Sequence, residues 1–243
     1  MHEQLALAAI FLLSAFTMTF AGFGFALMAV PMLALLFPVQ TAVALQFPYC
    51  MLLFAYQAWH YRKHFSWQDM RPLFWGSVAG LALGSFMLYQ LPEVALKRAL
   101  SIFIVAVVLF NLSPWSKGRA ARLAHSPWWA RFCGFISGSL LGAYTIGGPP
   151  AVAYITSVTQ DPLRAKSFMA SFFTVQFVFV ALIYAYNGMF TWELFKESAL
   201  YAPIVALGSL AGFWIFNKAS NQAYRMVVQL MLLAAAVMLW WRA

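Results

Sequence analysis

Apolar residues run along this chain in long unbroken stretches, without the period-two alternation of a barrel strand. The stretches lie near 5–37, 39–60, 72–91, 94–112, 128–157, 167–187, 198–217 and 223–241. In lipid every backbone polar group must be paired within its own segment or in a closed barrel, so continuous stretches predict helices. A spanning helix needs about 20 residues, which six of the stretches match. The first and fifth are too long for one crossing and too short for two. Both are interrupted by glycine, at Ala21-Gly22-Phe23-Gly24 and at Thr145-Ile146-Gly147-Gly148-Pro149-Pro150. Two adjacent prolines do not sit in an unbroken helix interior.

The stretches fall into two related halves. Phe65-Ser66-Trp67 matches Phe190-Thr191-Trp192, Gly80 and Gly84 match Gly208 and Gly212, Lys97-Arg98 parallels Tyr224-Arg225, and Gly24 parallels Gly147. A nearly constant offset of about 125 residues relates these pairs, as duplication predicts. The expected organisation is a first membrane repeat over 1–113, a basic linker loop over 114–127 and a second repeat over 128–243. The fold class is an all-α polytopic membrane protein with about eight hydrophobic segments.

Composition agrees. Hydrophobic residues make up 64% of the 243 and charged residues 9%, too few charges to clothe a soluble globule of this size. Mean hydropathy is +0.78. The start, Met1-His2-Glu3-Gln4, lacks a basic region, so no cleavable targeting segment is expected. The two cysteines, Cys50 and Cys133, lie in apolar stretches and build neither a disulfide framework nor a metal site. The net charge of +9 comes from Lys and Arg in short loops, a positive-inside pattern that does not call for nucleic acid as a partner. The expected location is the inner (plasma) membrane, crossed several times.

Charge also bears on topology. If all eight segments span, the halves are parallel and the 15 Lys and Arg divide 9 against 6. If segments one and five are re-entrant, the halves are inverted. Lys97, Arg98, Lys196 and Arg242 then lie opposite the other eleven. The second division is the stronger asymmetry, so inverted repeats with both termini outside are preferred.

Broken helices leave unpaired backbone groups at membrane depth, tolerable where they line a cavity or are packed in protein. One break per half is the layout of a secondary transporter site. A half-helix starting near Gly24 or Gly148 would aim N–H groups and a positive dipole end at an anion, and Pro149 suits a first-turn position. Gly80, Gly84, Gly208 and Gly212, by contrast, read as close helix packing. Polar side chains within spans are the second signal. Gln46, Tyr49 and Gln57 lie on the second segment, and Ser167, Ser171, Thr174 and Gln176 on the sixth. Under the offset Gln46 and Tyr49 correspond to Ser171 and Thr174, each pair on one helix face. The candidate substrate-binding set is therefore Gly22, Gly24, Gln46, Tyr49, Gly147, Gly148, Pro149, Ser171 and Thr174. No catalytic residue, metal ligand or cofactor is expected. No carboxylate lies at mid-membrane, so a coupling ion could be a proton or sodium without a motif to choose between them. A homodimer is compatible with the sequence.

The chain resembles the TauE/SafE family of sulfite and organosulfonate exporters over nearly its whole length. The resemblance rests on Gly22-Phe23-Gly24 followed by Val30-Pro31, on Gly134, Gly138 and Gly142, on Ile146-Gly147-Gly148-Pro149-Pro150, on Asp161-Pro162-Leu163-Arg164-Ala165, and on Lys97-Arg98. The first motif has Ala26 and Leu27 where another glycine is common. The resemblance implies export of a sulfur oxyanion or related small organic anion. The alternative is a non-transporting membrane scaffold or assembly protein, which would not need a glycine-proline break in each half. An intramembrane enzyme would need a nucleophile–base pair or metal ligands within the spans, and neither is evident.

Overall fold

The computed structural model describes residues 2–21, 24–112, 126–159, 161–216 and 221–242. Gly22 and most of the expected linker, residues 113–125, lie outside the described residues. Among the described residues the chain is all-helical: α1 (His2–Ala21), α2 (Phe25–Leu33), α3 (Val39–Tyr61) with a short 3-10 turn (Arg62–His64), α4 (Trp67–Gln90), α5 (Glu93–Leu112), α6 (Pro127–Tyr144), α7 (Gly148–Val158), α8 (Pro162–Tyr186), α9 (Trp192–Leu200), α10 (Ala202–Phe216) and α11 (Asn221–Arg242). Several starts are written in the sequence. Ser126 accepts from Trp129 N and is followed by Pro127; Asp161 accepts from Leu163 N and is followed by Pro162. Such residues satisfy first-turn donors, and proline carries no donor to satisfy.

Both expected interruptions are present, between α1 and α2 and between α6 and α7. The stretch at 198–217, expected as one helix, is instead two: α9 and α10 meet at Tyr201 with a bend of 44°. Pro203, in the first turn of α10, has no N–H for the carbonyl of Ala199, and its ring crowds that carbonyl. Among the described residues, three helical stretches are long and apolar enough to cross a membrane: Val39–His64, Trp67–Gln90 and Pro162–Tyr186. The bent pair makes a fourth if it counts as one span. Among the described residues, α1 and α11 carry the shorter apolar stretches Gln4–Thr19 and Gln229–Arg242.

The chain forms two compact units, and each draws on both sides of the midpoint. The first comprises Met1–Pro48, Leu91–Leu109 and Phe190–Ala243; the second comprises Tyr49–Gln90 and Phe110–Met189.

The second unit is built on α4 against α6. A Cβ placed on Gly76, Gly80 or Gly84 would sit 2.1, 2.0 or 1.9 Å from the carbonyl oxygens of Arg131, Phe135 and Ser139. Reciprocally, one on Gly134, Gly138 or Gly142 would sit 2.1, 2.1 or 2.5 Å from those of Leu73, Ser77 and Leu81. Glycine at every fourth residue on both helices gives each a face without side chains, and the two backbones meet there, running in the same direction. In the first unit α1 and α10 repeat this arrangement more loosely. A Cβ on Gly208 or Gly212 would meet the carbonyl oxygens of Leu12 or Phe16 at 2.4 or 2.8 Å, and the opposing face carries Ala15 and Thr19. The glycines read from sequence as packing positions pack in this way.

Candidate functional site

In the second unit, α6 ends in a left-handed cap. Thr145 N donates to Leu141 O at 2.8 Å, Ile146 N donates to Leu140 O at 3.3 Å, and Thr145 has φ 57°. A β-branched residue is strained in that region, and such strain persists where its surroundings over-determine it. Gly147 then caps α7 with an ordinary φ of −89°. Its requirement is for space: a Cβ there would lie 3.0 Å from the Phe173 ring and 3.1 Å from both the carbonyl and the hydroxyl oxygen of Ser137. Ser137 Oγ donates to Gly147 O at 2.6 Å, fixing the turn to α6.

A helix leaves its first four N–H groups without intrahelical partners. In α7 these belong to the cap Gly147 and to Gly148, Pro149 and Pro150. The prolines have no N–H, so only Gly147 and Gly148 carry first-turn donors. Gly147 is buried and Gly148 half-buried, where four orphan donors would be costly; this start keeps two, at the positive end of the helix dipole.

Next to the break lies a polar contact that sequence reasoning did not join to it. Gln176 on α8 is fully buried, and its Nε2 donates to Ser77 Oγ on α4. Ser77 Oγ donates in turn to Phe74 O at 2.7 Å. Gln176 Oε1 is buried without a hydrogen-bond partner. Phe173, which touches Gly147, precedes Gln176 by three residues and shares its face, and Ser77 abuts Gly138, next to Ser137. Lone serines in apolar helices carry no sequence signature; the clue was their position among the glycines at every fourth residue. Farther along α8, Tyr184 OH donates to Gly142 O at 2.8 Å.

One end of the second unit is charged. Arg164 at the start of α8 pairs with Asp69 at the start of α4, and Lys166 Nζ lies 5.8 Å from the Tyr61 ring centroid. Arg131 of α6 packs beside Gly76. The starts of α4, α6 and α8 therefore share one end, and α6, the break and α7 leave and return on that end. At the opposite end Tyr89 OH points to Met189 Sδ at 4.0 Å.

The first unit holds the other break. Gly24 caps α2 with φ 108°, and a Cβ there would only touch Thr17 Cγ2 at 3.4 Å. Glycine is needed here for its backbone angle, not for room. The break is packed by Phe11 against Phe25, ring centroids 6.3 Å apart, and by Phe11 stacked on Tyr201 at 5.2 Å. Gln46 is fully buried, its Nε2 donating to Val43 O at 3.2 Å. One residue before it, Leu45 O accepts from Ser198 Oγ at 2.9 Å. Both oxygens of Glu93 accept from Val39 N, at 2.9 and 3.2 Å, closing the start of α3.

The expected set is thus divided. Gly24 and Gln46 lie in the first unit; Tyr49, Gly147, Gly148, Pro149, Ser171 and Thr174 lie in the second. Tyr49 is buried and Ser171 partly so. Thr174 Oγ1 donates to Ala170 O at 2.7 Å, so its one proton is engaged within its own helix.

An all-helical chain with spans of this length and apolarity, interrupted by two glycine breaks, defines a helical membrane protein. It belongs to the family described as Sulfite exporter TauE/SafE, whose match covers residues 6–239. The family is one of transporters. No curated protein and no solved structure matches the chain.

Proposed function

We propose that the protein is a secondary carrier that exports a small anion, a sulfur oxyanion or an organosulfonate, across the inner membrane. The observation that carries this reading is the α6–α7 break. Its buried turn is held by Ser137, strained at Thr145, and reduced by two prolines to the donors of Gly147 and Gly148. An anion at the start of α7 would take those donors and the dipole together. Backbone interrupted in this way is the usual material of a carrier site.

The two breaks support inverted repeats. The α6–α7 hairpin leaves and returns on one end of the second unit, the end bearing Arg62, Lys63, Arg71, Arg131, Arg164 and Lys166. Positive-inside bias puts that end in the cytoplasm. In this reading α1–α2 dips from the opposite side, and rocking one repeat against the other alternates access. Gln46, Tyr49, Ser171 and Thr174 remain candidates for the substrate's surroundings.

The test is flux in proteoliposomes with sulfite, thiosulfate, sulfoacetate and taurine, beside acetate and chloride. Saturable flux of a sulfur anion, abolished by Gly148→Leu in a protein that still folds, is the expected result. A correctly oriented, folded protein that moves none of the sulfur compounds would sink the proposal.

A further inference from the structure

We infer that the α7 site selects a singly protonated oxyanion, of the hydrogen sulfite type, over the same anion without its proton. This rests on the transport reading above and adds the protonation state of the substrate.

The inference starts from the direction of two hydrogen bonds. A serine hydroxyl has one proton. Ser77 spends its proton on Phe74 O at 2.7 Å, so toward Gln176 it can only accept. The amide nitrogen must therefore face Ser77, as it does, and the carbonyl Oε1 must face away. That orientation follows from the proton count rather than from telling nitrogen from oxygen. Oε1 is left buried, without a partner, on a side chain with no exposed surface. A buried acceptor in that state is destabilising unless something donates to it.

The start of α7, one helical turn away along α8 through Phe173, asks for the opposite. Gly147 and Gly148 donate and the dipole favours negative charge. Two donors and one acceptor, joined through Phe173, form a set that a fully deprotonated oxyanion cannot satisfy. Its oxygens would take the two N–H groups but would repel Oε1. A hydrogen oxyanion satisfies all three, its oxygens accepting from the glycines and its proton going to Oε1. No cation and no second acidic group is needed.

The readout is apparent affinity of the full chain in proteoliposomes, for sulfite and for methanesulfonate, on both sides of neutral pH. Sulfite gains and loses its proton near neutrality, whereas the sulfonate stays deprotonated throughout. Expected are tighter binding of sulfite on the acid side, weakening in step with the hydrogen sulfite fraction, and sulfonate binding about tenfold weaker and flat with pH. Gln176→Met keeps length and removes Oε1. It should lose about tenfold in sulfite affinity and the pH dependence together, while methanesulfonate, no longer repelled by Oε1, should bind more tightly.

Ser77→Ala is small enough for the contact with Gly138 and frees the amide to turn its nitrogen to the site. It should narrow the gap between the two anions, and it answers the question even if Gln176→Met does not fold. Sulfite bound as well on the alkaline side as on the acid side, or a pH dependence that survives Gln176→Met, would overturn the inference while leaving transport intact. Absence of any anion flux would overturn the transport reading and this inference with it.

Discussion

The face-to-face glycines of α4 and α6 make a quantitative prediction. In Gly80→Ala the new methyl would be 2.0 Å from Phe135 O, and backbone, unlike a side chain, cannot swing aside. The helices must part by about 1 Å to restore an ordinary contact. A gap of that size forfeits roughly a quarter to a half of each atom pair's attraction of about 0.1–0.2 kcal/mol along the whole face. Summed over some tens of pairs, the loss is about 1–3 kcal/mol, the range of overpacked cores. In water, alanine would recover up to about 1 kcal/mol through helix propensity. In a bilayer the separated helices stay helical, because no other pairing of their backbone is open to them, so that recovery is small. Gly208→Ala and Gly212→Ala in the first unit begin from longer approaches of 2.4 and 2.8 Å. The destabilisation should therefore fall in the order Gly80→Ala, Gly208→Ala, Gly212→Ala. Gly188→Ala is the control, since nothing lies within 4 Å and only its φ of 68° resists substitution. Thermal and denaturant unfolding of the purified protein in lipid nanodiscs would rank the four. A Gly80→Ala protein as stable as the Gly188→Ala control, or a Gly212→Ala protein that loses as much as Gly80→Ala, would refute the idea that backbone approach sets the cost.

Other outcomes follow from single contacts. Ser137→Ala removes the donor to a buried carbonyl and should cost about 1–3 kcal/mol, read as a lower unfolding midpoint; no change would mean that the turn is held otherwise. Gly147→Ala should be partly rescued by Phe173→Leu, because the nearest of its obstacles, at 3.0 Å, is that side chain. Gly24→Ala should not be rescued by Thr17→Ser, because its obstacle is φ; double-mutant cycles in unfolding assays separate the two. Asp69→Asn should shift stability by no more than about 1 kcal/mol, since its partner Arg164 is exposed and screened; a loss well above that would give the pair a structural role. A reporter fused after Ala243 should read as non-cytoplasmic if the repeats are inverted.

Much of the architecture was legible because its signals are local. Two glycines flanking one residue, or two glycines before two prolines, mark a broken helix from residue chemistry alone, and both breaks lie where those residues stand. Ser126-Pro127 and Asp161-Pro162, which cap helix starts in the structure, are equally local features. Pro203 carried an equally local signal for the bend between α9 and α10, but an apolar stretch of ordinary spanning length concealed it. The contacts around Gly147 were harder. Gln176 was visible as a polar residue in a span, yet nothing in the order of residues joins it to Ser77, 99 positions away, or places either beside a glycine on a third helix. Gly24 and Gly147 show the limit of reading by analogy. They occupy matching positions, but one is glycine for its backbone angle and the other for the space around it.

The way each unit borrows a helix from the far side of the chain has a consequence for synthesis. The α6 face that α4 needs emerges about 60 residues after it, a few seconds at roughly 5–20 residues per second. The α10 face that α1 needs follows α1 by about 200 residues, some 10–40 s later at the same rate. The second unit can therefore close while the ribosome is still at work. α1 therefore waits for α10, and a chain stopped short of Gly208 releases α1 into lipid with its packing face uncovered.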